Sequence, residues 1–312
     1  MLDGFTLNPG DLDWAPLERL GELTVYDRTE AELVVDRAKD AYIVFVNKTI
    51  LTAAQLAELP KLKYVGVFAT GYNVVDVKAA AKLGIAVTNV PAYSTMSVAQ
   101  QIFALILAIT NRSEHYAQEN RKGRWCESPD FAYTDGALIE LAGKTFGVVG
   151  FGNIGKAATD IARAFGMKLR AFSSKPQSEL GDVVKSSLDE LFSQSDVVAM
   201  CCPLTESNRQ MVDARLLSLM RPSAIFINTA RGGLVDENAL AEALREHRIY
   251  AAGLDVLSAE PPTDSNPLLH LDNCYVTPHI AWATLEARRR CLAIAATNLA
   301  SYLSGTPTNI VS

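Results

Sequence analysis

Three residues with complementary chemistry follow short apolar runs in the second half of this chain. Arg231 lies in Asn228, Thr229, Ala230, Arg231, Gly232, Gly233, and Glu260 precedes Pro261 and Pro262. His279 follows Thr277 and Pro278. A guanidinium can grip a carboxylate through two parallel hydrogen bonds and polarise a neighbouring carbonyl. An imidazole can give or take a proton on a substrate oxygen near neutral pH, and a carboxylate partner would orient the ring and favour its protonated form. A histidine on its own is more often structural than chemical. The company of Arg231 and Glu260 reverses that reading for His279. His115 and His247, on polar parts of helices, and His270, in a loop, read as solvated surface.

These groups need a scaffold, and its centre is the stretch 144–175. An apolar run, 145–149, leads into Gly150, Phe151, Gly152, Asn153, Ile154, Gly155, then a helical pattern over 156–165 and a second apolar run over 169–172. The glycines have the G-x-G-x-x-G spacing. Each has a physical role: a tight turn, close approach of a pyrophosphate to the backbone, and close packing of helix on strand. Free N–H groups of Asn153 and Ile154 at the helix start would face the phosphates. Inside a strand, helix, strand unit the pattern points to dinucleotide binding. The second strand would ordinarily end in a carboxylate for the adenosine ribose, but here it ends Ser173, Ser174, Lys175. Hydroxyls and an ammonium suit a 2′-phosphate, so the expected cofactor is NAD or NADP, with NADP favoured.

Six strands are predicted in this part of the chain, at 145–149, 168–172, 196–201, 224–228, 250–254 and 274–277. The helices between them carry legible caps at Ser187 with Glu190, at Asp213 and at Asp236. Before it, strands at 23–26, 42–46, 64–68 and 85–88 alternate with helices at 52–59 and 74–83, which argues for a further parallel sheet covered on both faces. Asn47, Lys48, Thr49 and Thr70, Gly71, Tyr72, Asn73 fall at strand ends, where open parallel sheets bind ligands and backbone N–H groups can hold an anion. Spacing alone reads them equally well as ordinary loops. Helical spacing of Val98, Ile102, Leu105, Ile106 and Ile109 gives a long buried helix. The polar excursion 112–135 carries Trp125, Phe131 and Tyr133, an arm that packs either on a second subunit or on its own domain. A last helix, 285–303, ends before Gly305 and could return to the first domain.

Composition excludes several classes. The 312 residues carry a net charge of −6, which disfavours nucleic acid as a partner. The run Arg288, Arg289, Arg290 reads as a solvated helix face. No apolar run is long enough to span a bilayer, and the N-terminus lacks signal-peptide character, so a cytoplasmic protein is expected. Five cysteines, Cys126, Cys201, Cys202, Cys274 and Cys291, without C-x-x-C spacing, read as reduced thiols; no metal site is expected.

Taken together, Gly150 to Gly155, Asn228 to Gly233 with Leu234, Val235, Asp236, the turn from Gly253 to Val256 leading to Glu260, and Thr277, Pro278, His279 resemble the D-isomer-specific 2-hydroxyacid dehydrogenases over nearly the whole chain. The opening residues 3–10 and the loops at 47–49 and 69–73 resemble the glycerate dehydrogenase (hydroxypyruvate reductase) branch. The resemblance implies an α/β fold of two doubly wound parallel-sheet domains, with a Rossmann-type nucleotide-binding domain (98–285) inserted in a flavodoxin-like substrate domain (1–97 plus 286–312). It implies that Arg231, Glu260 and His279 are catalytic and that Asn47, Gly71 and Tyr72, with Arg231, bind the substrate. Cofactor contacts are expected from Gly150, Gly152, Asn153, Ile154, Gly155, Ser173, Ser174, Lys175, Cys202, Pro203, Thr229, Ala230, Asp255, His279 and Ala281, with Asp255 on the nicotinamide amide. The implied reaction reduces a small 2-oxo acid, and the implied assembly is a homodimer. Ser173 departs from the family's usual Asp, and Gln100 stands where relatives often carry Glu. Competing readings are a formate or phosphite dehydrogenase, and a nucleotide-sensing regulator or corepressor on the same scaffold.

Overall fold

The computed structural model describes all residues, 1–312, and divides into two compact units. One comprises residues 1–94 and 282–312, the other residues 95–281. The divisions fall at 94/95 and 281/282, where the sequence suggests 97/98 and 285/286. The shift at the first has a local cause: the long helix begins at Thr95, so the whole helix belongs to the larger unit.

The smaller unit holds a three-stranded parallel sheet of β1 (Ile43–Val46), β2 (Tyr64–Val67) and β3 (Ala86–Thr88), in that order. Strand alternation sorts its residues to two sides. Val44, Val46, Val65, Val67 and Val87 pack with Leu51, Leu56 and Leu62. Phe45 and Tyr64 face the opposite way and join Leu7, Phe68, Cys291, Leu292, Ala295 and Leu299. Gly66 is required between them, since a Cβ there would lie 2.2 Å from the Phe45 ring. The predicted strand at 23–26 does not form. Those residues instead lie beside the chain start, Tyr26 N–H donating to Met1 O (3.0 Å) and Gly4 N–H to Tyr26 O (2.8 Å), while Leu2 N–H donates to Phe45 O on β1 (3.0 Å). Counting these extended segments gives the order 2-1-3-4-5 of flavodoxin-like sheets.

The larger unit is a seven-stranded, all-parallel sheet. Its strands are β4 (Thr145–Val149), β5 (Lys168–Phe172), β6 (Val184–Lys185), β7 (Val197–Met200), β8 (Ile225–Asn228), β9 (Ala251–Leu254) and β10 (Cys274–Val276), ordered β10-β9-β8-β7-β4-β5-β6. Read from β6 to β9, this is the dinucleotide-binding order 3-2-1-4-5-6, with β10 added at the edge. The sequence does not reveal β6, which has only two residues, both exposed, on the opposite edge. Both faces of the sheet are covered, which is why its central strands read as unbroken apolar runs. Phe146, Val148, Val197, Ala199, Ile225 and Ile227 pack against helices Thr95–Asn111 and Asn153–Ala164. Val149, Val198, Met200 and Phe226 pack against Leu188–Gln194, Ala214–Ser218 and Glu237–Arg245. The caps at Ser187, Asp213 and Asp236 form as the sequence indicates.

The terminal helix, Leu285–Leu303, is capped by Thr284 and packs within the smaller unit. Its arginine run is not a solvated face throughout. Arg288 is 8% exposed and grips Asp11 through two hydrogen bonds of 2.6 Å, because the opening segment folds back over this helix. His115 is likewise not free surface, its Nε2 lying 2.7 Å from Asp135. No helix is long and apolar enough to cross a membrane.

Candidate active site

Topology brings the first nucleotide element to the middle of the large sheet. β4 lies between β5 and β7, so the connection leaving β4 sits where strand order reverses, the place such sheets hold ligands. Gly150 there has φ +99°, and a Cβ on it would strike the backbone of Cys201 and Cys202 at 2.8 to 2.9 Å. A Cβ on Gly155 would lie 2.1 Å from Gly150 O, so the third glycine seats the helix against the strand. Gly152 is exposed, with nothing within 4 Å of where a Cβ would be. The N–H groups of the twelve-residue helix Asn153–Ala164 begin at that open point. This is a cradle for a pyrophosphate. Thr229, past β8, keeps a buried hydroxyl without a partner, a polar group available to a bound molecule, and Ala230 N–H is taken by Asn228 Oδ1 (3.0 Å).

Beyond β5, the Ser173 hydroxyl accepts from Lys175 N–H (3.1 Å), Lys175 Nζ lies 3.8 Å from Glu179, and Ser174 is exposed. No carboxylate occupies the strand end itself, although Glu179 tempers the charge of the lysine. Cys202 is half-buried and Pro203 exposed past β7. Burial pushes the Cys201 thiol up to about 12 and raises Cys202 as well, so both are held as packed thiols and not as nucleophiles.

The register of the far half of the sheet aligns the three chemical residues. Asn228 pairs with Leu254, and Leu254 with Val276. Arg231, Asp255 and His279 therefore leave the carboxyl ends of three successive strands. Asn228 shapes the first turn, donating from Nδ2 to Arg231 O (2.9 Å). A Cβ on Gly232 would lie 1.9 Å from the Leu257 carbonyl carbon, so only glycine lets this turn nest on the one leading to Glu260. Arg231 itself is exposed.

His279 and Glu260 meet. Nδ1 lies 2.6 Å from Glu260 Oε2, with the two side chains 26% and 36% exposed. A carboxylate only accepts, so Nδ1 carries the donated proton and Nε2 is left for chemistry. Glu260 is steadied by Leu257 N–H on its other oxygen (3.1 Å). His279 has φ +54°, a left-handed conformation uncommon outside glycine. The peptide around it is fixed by Asp255, whose carbonyl accepts from His279 N–H (2.8 Å). The Asp255 carboxylate accepts from Thr277 Oγ1 (2.6 Å), Ile280 N–H (2.9 Å) and Ala281 N–H (2.8 Å). Asp255 is fully buried, which raises its pKa against those hydrogen bonds. The Asp255 oxygens thus hold the histidine loop in place. Ala281 N–H is spent in the same way. Spacing could not reveal this, because the partners lie 22 to 26 residues downstream.

In the smaller unit the two strand-end loops differ. The N–H groups of Asn47 (2.8 Å), Lys48 (2.5 Å) and Thr49 (2.8 Å) all donate to the carboxylate of Asp3, which is 5% exposed. That anion nest is filled by the protein's own side chain. Asn47, expected as a substrate ligand, is 3% exposed and donates from Nδ2 to Phe68 O (2.8 Å), tying the end of β1 to that of β2. Gly71 and Tyr72 are different: no protein acceptor engages either backbone N–H.

A glycine cradle at the switch point of a parallel sheet, with an imidazole–carboxylate pair on the same strand ends, defines a dinucleotide-dependent oxidoreductase. Comparison with known proteins gives the family. Residues 103–281 match the model of the D-isomer specific 2-hydroxyacid dehydrogenase NAD-binding domain. A hydroxypyruvate reductase of Blautia hydrogenotrophica is 46% identical over 100% of this chain and 98% of its own. A glycerate dehydrogenase of Methylorubrum extorquens is 41% identical over 90% of this chain and 88% of its own. Among solved structures, an NADPH-dependent glyoxylate/hydroxypyruvate reductase from Sinorhizobium meliloti, in complex with NADP and malonate, superposes with a TM-score of 0.83 at 32% identity, covering 97% of this chain and 95% of that one. The chain belongs to the D-isomer-specific 2-hydroxyacid dehydrogenases and is a nicotinamide-dependent enzyme.

Proposed function

We propose that this enzyme reduces a small 2-oxo acid, hydroxypyruvate or glyoxylate, to the D-2-hydroxy acid. The names of its similar relatives support this substrate class. The observation that carries the reading is the 2.6 Å contact between His279 Nδ1 and Glu260, which leaves Nε2 to deliver a proton to the substrate carbonyl oxygen. The bound reduced nicotinamide supplies the hydride that reaches the carbonyl carbon. Arg231 grips the substrate carboxylate and polarises the carbonyl, and Gly71 and Tyr72, whose backbone N–H groups are open, are further substrate ligands. Asp255 and Asn47 serve by fixing loops. Ser173, Ser174 and Lys175 receive a 2′-phosphate, so NADPH is used at least as well as NADH.

The enzyme is further proposed to be a cytosolic homodimer. Trp125 and Phe131, 55% and 93% exposed, offer apolar surface to a second copy, and five free cysteines suit a reducing compartment. A panel of 2-oxo acids assayed with each reduced cofactor tests the whole reading. Turnover is expected with hydroxypyruvate or glyoxylate, and absence of turnover with both would refute it.

A further inference from the structure

We propose that Glu237 is a positioning residue for the Glu260–His279 pair, acting through the turn that carries Glu260. This rests on the reading of that pair as the acid–base machinery. Glu237 opens the helix Glu237–Arg245, directly after its Asp236 cap and five residues beyond Gly232. Its carboxylate reaches out of the helix to two points that bracket Glu260 in sequence. Oε1 accepts from Ser258 N–H at 2.5 Å, and Oε2 accepts from Asn266 Nδ2 at 2.9 Å. A carboxylate in the first turn also suits the positive end of the helix dipole.

The turn needs such a brace. Residues 258–262 are all exposed, and a cavity of about 290 Å3, lined by Glu237, Ser258, Pro262 and Asn266 among others, separates the loop from the helix. Apolar packing anchors the two ends of the loop, Leu257 and Leu268 lying in one core with Leu240 of the helix, and the Glu237 carboxylate braces the exposed stretch between them. The chemistry of the bridge is specific. Ser258 N–H can only donate. Asn266 presents its amide nitrogen because its Oδ1 is occupied by Leu268 N–H (3.0 Å). Both contacts thus require an acceptor, which a carboxylate provides at both ends and an isosteric amide does not. Glu237 also joins the two halves of the site: the turn holding Arg231 runs straight into its helix, and the turn holding Glu260 hangs from its side chain.

The test uses E237Q in the full chain. The amide leaves two donors facing each other at one end of the bridge, freeing the Glu260 turn to drift. A displacement of about 1 Å can cost up to ~100-fold, and a fall in kcat of about tenfold or more is expected for 2-oxo acid reduction. KM for the reduced cofactor should hold steady, because the cradle at Gly152 is untouched. The loss of activity with rising pH should begin at lower pH than in the parent, as it should in E260Q. Introducing N266D alongside E237Q supplies an acceptor where the first change placed a donor, and should recover most of kcat and the parent pH profile. Unchanged kcat and pH profile in E237Q would overturn the proposal, as would a double variant no better than the single one. Full turnover in H279A would sink the underlying acid–base reading instead. An inactive H279A beside an unaffected E237Q would sink this inference alone.

Discussion

Two buried carboxylates, one in each unit, hold loops beyond the ends of parallel strands, and they are used in opposite ways. Asp3 takes three successive backbone N–H groups, from Asn47, Lys48 and Thr49, and so fills the anion site its loop creates. Asp255 takes Thr277, Ile280 and Ala281, skipping His279, whose ring is turned out to Glu260. The first carboxylate consumes a binding capacity; the second frees one. A strand end rich in small polar residues is therefore not in itself a substrate site. Whether the protein has already spent the N–H groups decides, and the open pair at Gly71 and Tyr72 passes that test where 47–49 does not.

The contrast can be broken by substitution, most forcefully on the histidine side. His279→Ala should reduce turnover by at least about 100-fold, with the fold intact by circular dichroism; near-normal kcat would remove the imidazole from the mechanism. Asp255→Asn places an amide against a backbone donor in a fully buried setting. It should cost about 1 to 3 kcal/mol of stability in urea titration and about 10- to 100-fold in kcat, through misplacement of the ring. Asp3→Asn makes the same chemical change in the other unit and should cost comparable stability. Its kinetic signature should be a raised KM for the 2-oxo acid with kcat little changed, and an equal collapse of kcat would erase the distinction between the carboxylates. The smallest effect is expected at Lys175→Ala, which should raise KM for NADPH a few-fold and leave KM for NADH alone. Because Glu179 stands 3.8 Å from that ammonium, a large effect would mean the lysine does more than pair with phosphate.

Much of this architecture is legible in the amino-acid sequence. The glycine spacing, the caps at Ser187, Asp213 and Asp236, and the terminal helix follow from local rules, and local rules survive folding. The convergence of Glu260 and His279 was legible because each follows a strong apolar run in a parallel sheet, where carboxyl ends gather on one edge. What stayed hidden depends on partners distant in sequence. Asp3 and the loop it fills are 44 to 46 residues apart, and nothing in an N-terminal aspartate announces such a match. Arg288 was concealed the same way, its run of like charges suggesting solvent while Asp11 lay 277 residues off. The strand β6 left no trace because two exposed edge residues need no apolar pattern, and residues 23–26 look like a strand because they lie extended beside the chain start without forming a regular ladder.

The terminal helix carries a consequence for biosynthesis. Ala287, Cys291, Leu292, Ala295 and Leu299 complete one side of the smaller unit's core, against Met1, Leu7, Phe45 and Tyr64. A ribosome that has translated the first 94 residues has made a sheet with one greasy flank still uncovered, and it must synthesise the entire 95–281 insert before the missing wall emerges. The portion made first is thus the portion finished last.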